Sequence, residues 1–385
     1  MREFLHTKLD IARDIGGAKV FAGEDIVPSI PATAAEIVEN GRVLLLCDRG
    51  TARIASDVAA EMKGGGFRVS AHDVDEDFVP EEQCRLVLGV GAGRVAEKCK
   101  STARELGAEC ALLLTAPTSE KILSGGGINQ VYLDKKVLSS CPRRCYAAGL
   151  GILLARPVIE FDRIFDNKVC SAGTTEVEAT SVVRDPDPTA LAVELLTLGA
   201  KDDAFLRSEE GKSVPRPAPC DAVAEVLSRI ALQKGKNPRL RGEYMFVTAC
   251  ALKRFYTLFL SSPSIDTLLP ADNDAVLSRL VALTGRERAG LLQMFDFSDV
   301  NSYFRISYIV GEYRLDFIDR LSAIDLAAAE RKWRRTYDDA GFFLRGAITA
   351  REVTEAMSLA GAVSGGLLHY AATTGFLDRV AAIPS

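Results

Sequence analysis

One stretch of the sequence, residues 85–100, constrains the fold more than any other. Its apolar run at 86–88 predicts a buried strand, the glycines at 89, 91 and 93 predict a tight turn, and the residues after them predict a helix. A strand, a glycine-rich turn and a helix N-terminus in this order form an anion site, because backbone N–H groups approach a phosphate closely and the helix dipole favours negative charge. The stretch therefore predicts a βα unit that binds phosphate, with a plain tight βα turn as the alternative.

Short apolar runs alternate with helical periodicity through the first part of the chain. Strands are predicted at 19–22, 43–47, 68–72, 85–90, 110–114 and 130–133. Apolar strands that alternate with helices are typical of a parallel, doubly wound sheet with both faces covered. We therefore expect an α/β nucleotide-binding domain at 1–145.

Helical periodicity replaces the strand signal from about residue 143 onward. Helices are predicted at 145–165, 188–198, 220–234, 243–260, 273–284, 323–338 and 350–370. We therefore expect an all-helical C-terminal domain at 146–385.

Composition and charge narrow the partners and the compartment. A hydrophobic content of 48% and a charged content of 26% are those of an ordinary globular protein, and the net charge of −5 argues against a nucleic-acid surface. No apolar segment approaches the ~18 residues of a membrane span, and the N-terminus lacks the apolar core of a signal peptide. The expectation is a cytoplasmic protein that binds neither nucleic acid nor membrane.

Cys141 and Cys145 form the one close pair among nine cysteines. Their spacing is wider than a redox C-x-x-C motif, and no second pair completes a zinc site. A structural role is favoured over a metal or redox role, and the sequence leaves the choice open.

The glycine turn fits neither of the two common phosphate-binding motifs. A dinucleotide fingerprint needs its third glycine at the position of Arg94, and no Gly-Lys-Ser/Thr follows to complete a P-loop. Neighbouring strand ends nevertheless carry suitable groups. Asp48 can accept hydrogen bonds from ribose hydroxyls, although Asp48 or Thr51 can equally cap the next helix. The candidate cofactor-binding residues are Asp48, Thr51, Gly91, Ala92, Gly93, Arg94, Lys100, Thr115 and Thr118.

The order of four motifs resembles a known superfamily. These are Leu-Leu-Cys-Asp-Arg-Gly-Thr at 45–51, the glycine signature at 89–100, Ala-Pro-Thr-Ser at 116–119, and the segment from Val-Tyr-Leu-Asp at 131–134 to Ala-Ala-Gly-Leu-Gly at 147–151. The chain is similar to iron-dependent alcohol dehydrogenases, glycerol dehydrogenase, sn-glycerol-1-phosphate dehydrogenase and 3-dehydroquinate synthase. The sn-glycerol-1-phosphate dehydrogenase branch is the most similar, and the resemblance covers 15–157.

The resemblance implies a dehydroquinate synthase-like architecture with an NAD(P)-binding domain, a helical domain and a homodimer. It also implies catalysis at a divalent metal that lowers the pKa of a substrate hydroxyl. Asp48 suits a free ribose hydroxyl and Arg49 suits a 2′-phosphate, so the choice between NAD and NADP stays open.

The sequence departs from the family where the metal should bind. Ile152 stands where the family has a ligand aspartate, and Tyr244 stands where it has a ligand histidine. The histidines present, His6, His72 and His369, have no partner at metal-ligand spacing. We therefore expect the family's metal site to be lost.

Two hypotheses of function follow. The first is an NAD(P)-dependent oxidoreductase of the glycerol-1-phosphate or polyol dehydrogenase lineage, acting on a small alcohol or phosphorylated polyol. Tyr244, Lys253 and Tyr256 are its candidate residues for metal-free proton transfer, with a solvated helix face as the alternative for Lys253 and Tyr256. The second is a non-catalytic nucleotide-binding relative, a pseudoenzyme or sensor. A synthase-like lyase is disfavoured because it needs the same metal.

Overall fold

The computed structural model describes residues 9–39, 41–78, 83–170, 186–208, 218–237, 239–262, 274–285, 287, 300–339, 348–374 and 376. The chain forms two compact units. The first combines Met1–Gly149 with Val183–Phe205, and the second combines Leu150–Val182 with Leu206–Ser385. The first unit thus includes a segment that follows the start of the second.

A seven-stranded sheet forms the centre of the first unit. Its strands are β1 (Leu9–Ile15), β2 (Ala18–Gly23), β3 (Arg42–Cys47), β4 (Arg68–Asp73), β5 (Cys84–Gly91), β6 (Glu109–Leu114) and β7 (Gln130–Asp134). Their spatial order is β1-β2-β7-β6-β5-β3-β4. Every neighbouring pair is parallel except β1 with β2. The predicted parallel α/β domain is confirmed, and β1, which the sequence did not predict, adds an antiparallel edge.

Helices cover both faces of this sheet. They are α1 (Ile30–Ala34), α2 (Ala52–Gly64), α3 (Arg94–Leu106), α4 (Lys135–Ser139) and α6 (Pro188–Arg207), and the first unit also includes the start of α5 (Arg143–Cys170). α3 and α6 share one apolar core with one face of the sheet, whereas α1 and α2 share another core with the opposite face. Both faces are buried because strands such as β3 and β6 are apolar at successive positions.

In the described part of the second unit, every regular element is a helix. Besides most of α5, they are α7 (Pro219–Gln233), α8 (Arg241–Ser261), α9 (Asp274–Thr284), α10 (Val300–Ala323), α11 (Leu326–Asp339), α12 (Ala350–Gly361) and α13 (Gly366–Thr373). The predicted helical C-terminal region is confirmed. No described helix is long and apolar enough to cross a membrane.

The helices of the second unit differ from the sequence prediction at two places. The single helix predicted at 350–370 is two helices, because the chain leaves α12 after Gly361 and starts again at Gly366, whose φ is +71°. This positive φ is incompatible with a continuous α-helix. α10 was not predicted, although it is one of the longer helices.

Candidate functional site

The strand order of the first unit reverses between β3 and β5. From β3 the chain continues outward to β4, and from β5 it continues the other way to β6 and β7. In open α/β sheets, ligands bind outside the carboxyl ends of the strands at such a reversal. Asp48 follows β3 and the glycine turn closes β5, so both predicted features flank this point.

Hydrogen bonds fix the turn after β3. The Asp48 carboxylate accepts from the Thr51 N–H through Oδ1 (3.0 Å), and the Thr51 hydroxyl accepts from the Asp48 N–H (3.1 Å). The same hydroxyl lies 2.8 Å from the Val90 carbonyl oxygen, to which it donates across to β5. Thr51 occupies the N-cap position of α2, but its side chain makes no cap hydrogen bond. It therefore joins the two strand ends rather than capping the helix.

Two glycines at the end of β5 are required by packing against α3. A β-carbon on Gly89 would lie 2.6 Å from the Cys99 sulfur, and one on Gly91 would lie 2.6 Å from the Val95 side chain. Both distances are shorter than real Cβ contacts. The two glycines therefore let α3 lie directly on the strand, as a βα phosphate site requires.

Gly93 is explained by backbone conformation and not by packing. It is the N-cap of α3 with φ +42° and ψ −105°, and nothing lies within 4 Å of where its β-carbon would be. Ala92, by contrast, is not among the described residues with positive φ, so its methyl group causes no backbone strain. The turn thus presents open backbone at the N-terminus of a thirteen-residue helix.

The predicted phosphate-binding side chains both have partners within the first unit. Arg94 forms a bidentate ion pair with Asp75, at 2.5 and 2.9 Å, and both side chains are largely exposed. Lys100 is buried, pairs with Glu97 at 2.7 Å and lies 3.4 Å from the Ser124 carbonyl oxygen. Asp75 was missed by the sequence analysis, because nothing in a polar loop after β4 indicates a partner on α3.

The third strand end, after β6, joins the same edge of the sheet. The Thr115 N–H donates to the Gly91 carbonyl (3.1 Å), and Thr118 N–H donates to the Ala116 carbonyl (3.0 Å). The predicted residues that follow β3, β5 and β6 therefore lie at the ends of three adjacent strands.

Ile152 and Tyr244, which the motif resemblance places at metal-ligand positions, offer neither a carboxylate nor an imidazole. Ile152 is buried and apolar. The Tyr244 hydroxyl is also buried and accepts from the Arg239 N–H at 3.2 Å. Across the described ranges, no three His, Cys, Asp or Glu side chains form a group suited to a metal ion.

The three candidate proton-transfer residues each have their own hydrogen-bond partner. Tyr244 contacts Arg239, the Lys253 ammonium donates to the Ile324 carbonyl, and the fully buried Tyr256 donates to Asp162 Oδ1 at 2.8 Å. Burial, followed by the charge of Asp162, raises the pKa of Tyr256. These contacts are structural. The prediction of a solvated helix face is wrong for Tyr256, because this residue is fully buried.

Two predicted lone histidines and the cysteine pair have structural surroundings. The His72 ring stacks on Phe78 with centroids 5.0 Å apart. His369 contacts the Gly361 carbonyl, and burial lowers its pKa to about 4. His6 lies outside the described residues. Cys141 and Cys145 are both half-buried, and burial raises the pKa of Cys141 to about 11.

Among the comparisons with known proteins, the one with solved structures finds matches. No family model and no curated protein matches the chain. It is similar to glycerol dehydrogenase from Schizosaccharomyces pombe, at 12% identity over 84% of this chain and 91% of that chain, with a TM-score of 0.45. It is also similar to an archaeal alcohol dehydrogenase from a Red Sea brine pool, at 10% identity over 98% of this chain and 100% of that chain, with a TM-score of 0.49.

A third similar structure is 2-deoxy-scyllo-inosose synthase complexed with carbaglucose-6-phosphate, NAD+ and Co2+. Its identity is 13% over 78% of this chain and 89% of that chain, with a TM-score of 0.43. Glycerol dehydrogenase and alcohol dehydrogenases are also among the enzymes that the sequence motifs resemble. At these identities and TM-scores, the similarity carries no argument about substrate or cofactor.

Proposed function

We propose that the first unit binds NAD(H) or NADP(H) at the edge formed by β3, β5 and β6. We further propose that the protein is an NAD(P)-dependent oxidoreductase acting on a small alcohol or phosphorylated polyol. The observation that carries the proposal is Gly93, which opens α3 with positive φ and free space above it. Gly93 follows β5 and Asp48 follows the adjacent strand β3, on the two sides of the reversal of strand order.

The groups at this edge fit the parts of a dinucleotide. The pyrophosphate would lie at the N-terminus of α3, where backbone N–H groups and the helix dipole favour an anion. Asp48 uses Oδ1 for its own turn. Among the described residues its other carboxylate oxygen has no partner, which leaves an acceptor for a ribose hydroxyl. A nicotinamide held at this edge would supply or take the hydride.

The substrate class rests on the motif resemblance to glycerol-1-phosphate and polyol dehydrogenases. No step is assigned to a divalent metal, because Ile152 and Tyr244 do not supply its ligands. The proposal is therefore an oxidoreductase without the family's metal.

A second candidate function is a non-catalytic nucleotide-binding protein. The same two residues favour it, since the polarising metal has no replacement group at these positions. Both functions require nucleotide binding, and they differ in turnover.

Titration of NADH and NADPH fluorescence tests the shared requirement. The variant Gly93→Ala places a side chain at positive φ, which costs about 1–3 kcal/mol, and is expected to weaken binding about tenfold. Gly107→Ala is the matched control, because Gly107 ends the same helix with φ +60° and equally open surroundings. A protein that binds neither nucleotide would overturn both candidate functions.

One further measurement separates the two candidates, and a second tests the absence of metal. Nicotinamide absorbance, followed with glycerol phosphates, polyols and short alcohols, should change for the oxidoreductase and stay constant for the non-catalytic protein. Elemental analysis of protein purified without chelator should show no stoichiometric zinc, iron or nickel. Stoichiometric metal would refute the metal-free assignment.

A further inference from the structure

The second unit contains a cavity of about 460 Å³ between α8, α11 and the start of α12. Small-molecule sites typically have volumes of about 300–1,000 Å³. All the lining residues belong to the second unit, so none is part of the glycine turn. The proposed nucleotide therefore does not account for this cavity.

The body of the cavity is apolar and partly aromatic. Phe246 and Trp333 are buried with ring centroids 4.9 Å apart, and Phe255 and Met357 are also buried. Leu258 also lines the cavity, and 59% of its surface is exposed. Such a wall favours a hydrocarbon or aromatic group, which gains roughly 25 cal/mol per Å² of apolar surface removed from water.

The polar part of the lining carries a net positive charge. Arg254 and Arg334 contribute two positive charges and Glu330 one negative charge, which leaves one positive charge. Arg334 holds Glu330 at 2.6 Å within α11, whereas Arg254 approaches it only at 3.4 Å. The Arg254 side chain is 74% exposed. Its guanidinium, weakly engaged by Glu330, has donors for a second carboxylate.

The thiol in the lining does not add a competing charge. Burial is the main reason that the pKa of the Cys250 thiol is raised to about 12. The thiol is therefore neutral at physiological pH. Arg254, Arg334 and Glu330 are therefore the charged groups that a ligand meets in this lining.

We propose that this cavity binds a small monocarboxylate with an apolar tail. The tail packs against Phe246 and Trp333, and the carboxylate is held by Arg254 with support from Arg334. One negative charge on the ligand balances the net charge of the lining. This site is independent of the proposed nucleotide site.

Isothermal titration calorimetry with decanoate and with decanol tests the proposal. Both share the apolar tail, but only decanoate carries the carboxylate. The variant Arg254→Gln should weaken decanoate binding about tenfold and leave decanol binding unchanged, because it removes the positive charge and the charge-assisted hydrogen bond to the carboxylate. Arg320→Gln is the matched control, since Arg320 forms an exposed pair with Asp316 on α10, outside the lining.

Two readouts locate the ligand. Trp333 is the single tryptophan of the chain, so its emission should shift when decanoate binds. Ala251→Phe narrows the cavity from α8 and should weaken both ligands. Thermal unfolding checks that Ala251→Phe folds. If it does not fold, Arg254→Gln still tests the proposal, because it changes only an exposed side chain.

Absence of decanoate binding would overturn the proposal. Equal loss of decanoate and decanol in Arg254→Gln would overturn the carboxylate assignment. Binding that leaves Trp333 emission unchanged and survives Ala251→Phe would place the ligand elsewhere and overturn the site.

Discussion

The Pro117 carbonyl oxygen lies 1.9 Å from the position that a β-carbon on Gly149 would occupy. A β-carbon on Gly199 would meet the Glu120 carbonyl oxygen at 1.8 Å in the same way. Helices α5 and α6 therefore contact the loop after β6 through their backbones. This loop carries Thr118, so the two glycines position part of the candidate cofactor edge.

Gly149→Ala should displace this loop and destabilise the first unit. The added methyl group cannot fit against a backbone carbonyl, and overpacking of this kind costs about 1–3 kcal/mol. Urea unfolding measures the loss, and an NADH titration should show weaker binding. Gly311→Ala is the control in α10, where nothing lies within 4 Å of the new carbon, and it should keep or raise stability. Equal stability of Gly149→Ala and the unaltered chain would contradict the contact.

The hydroxyl of Thr51 should matter for nucleotide binding because it joins the ends of β3 and β5. Thr51→Val removes the 2.8 Å hydrogen bond to the Val90 carbonyl. The expected loss is about 1 kcal/mol of stability and several-fold in NADH affinity. Thr257→Val is the control, since that hydroxyl bonds only within α8 to the Lys253 carbonyl. NADH binding that is unchanged in Thr51→Val would show that this link does not support the site.

The ion pair between Arg94 and Asp75 should modulate phosphate binding without stabilising the fold. Both side chains are exposed, and pairs of this kind contribute about 0–1 kcal/mol. Asp75→Asn frees the guanidinium for a phosphate and should tighten NADPH binding several-fold, whereas Arg94→Gln should weaken it. Fluorescence titration at low and high salt measures both effects, and the differences should shrink at high salt. Tighter binding by Arg94→Gln would show instead that Arg94 crowds the phosphate.

Two buried carboxyl groups on α5 should give the second unit an unusual pH dependence. Asp162 and Asp166 lie one helical turn apart, and Asp166 Oδ1 accepts from the Gly366 N–H at 2.8 Å where α13 begins. Tyr256 and Leu367 donate to Asp162 Oδ1. Burial raises the pKa of Asp166 from 3.8 to about 7, and burial with the neighbouring Asp166 also raises the pKa of Asp162.

The sign of the effect follows from proton linkage. Between about pH 4 and pH 7 the native state binds more protons at Asp166 than the unfolded state does. Stability therefore falls as pH rises, by up to about 1.4 kcal/mol per pH unit. Asp166→Asn keeps an acceptor for Gly366 but cannot titrate, so it should lose less stability across this range. Urea unfolding at about pH 5 and about pH 7 measures the difference.

His369 contributes the opposite slope, because burial lowers its pKa to about 4. Its contribution is present in both proteins and cancels when they are compared. An identical pH dependence of the unaltered chain and Asp166→Asn would refute the assignment.

The sequence by itself determined the βα unit around the glycine turn. Apolar residues at successive positions predicted a buried strand, and the glycines at 89, 91 and 93 predicted the tight turn that opens a helix. These are local properties of the chain, so they can be predicted without the tertiary structure. The position of Asp48 at the end of β3 was likewise fixed by its place after an apolar run.

Only the tertiary structure decided which side chains meet. Arg94 pairs with Asp75 on a loop before β5, and Tyr256 donates to Asp162, which is 94 residues away in the chain. The spacing of Lys253 and Tyr256 indicated a helix face but not its surroundings. Periodicity specifies how a helix is wound, whereas packing against distant elements decides which of its faces is buried. The sequence therefore located the candidate nucleotide edge, and the tertiary structure removed Tyr256 from solvent and assigned it to the core.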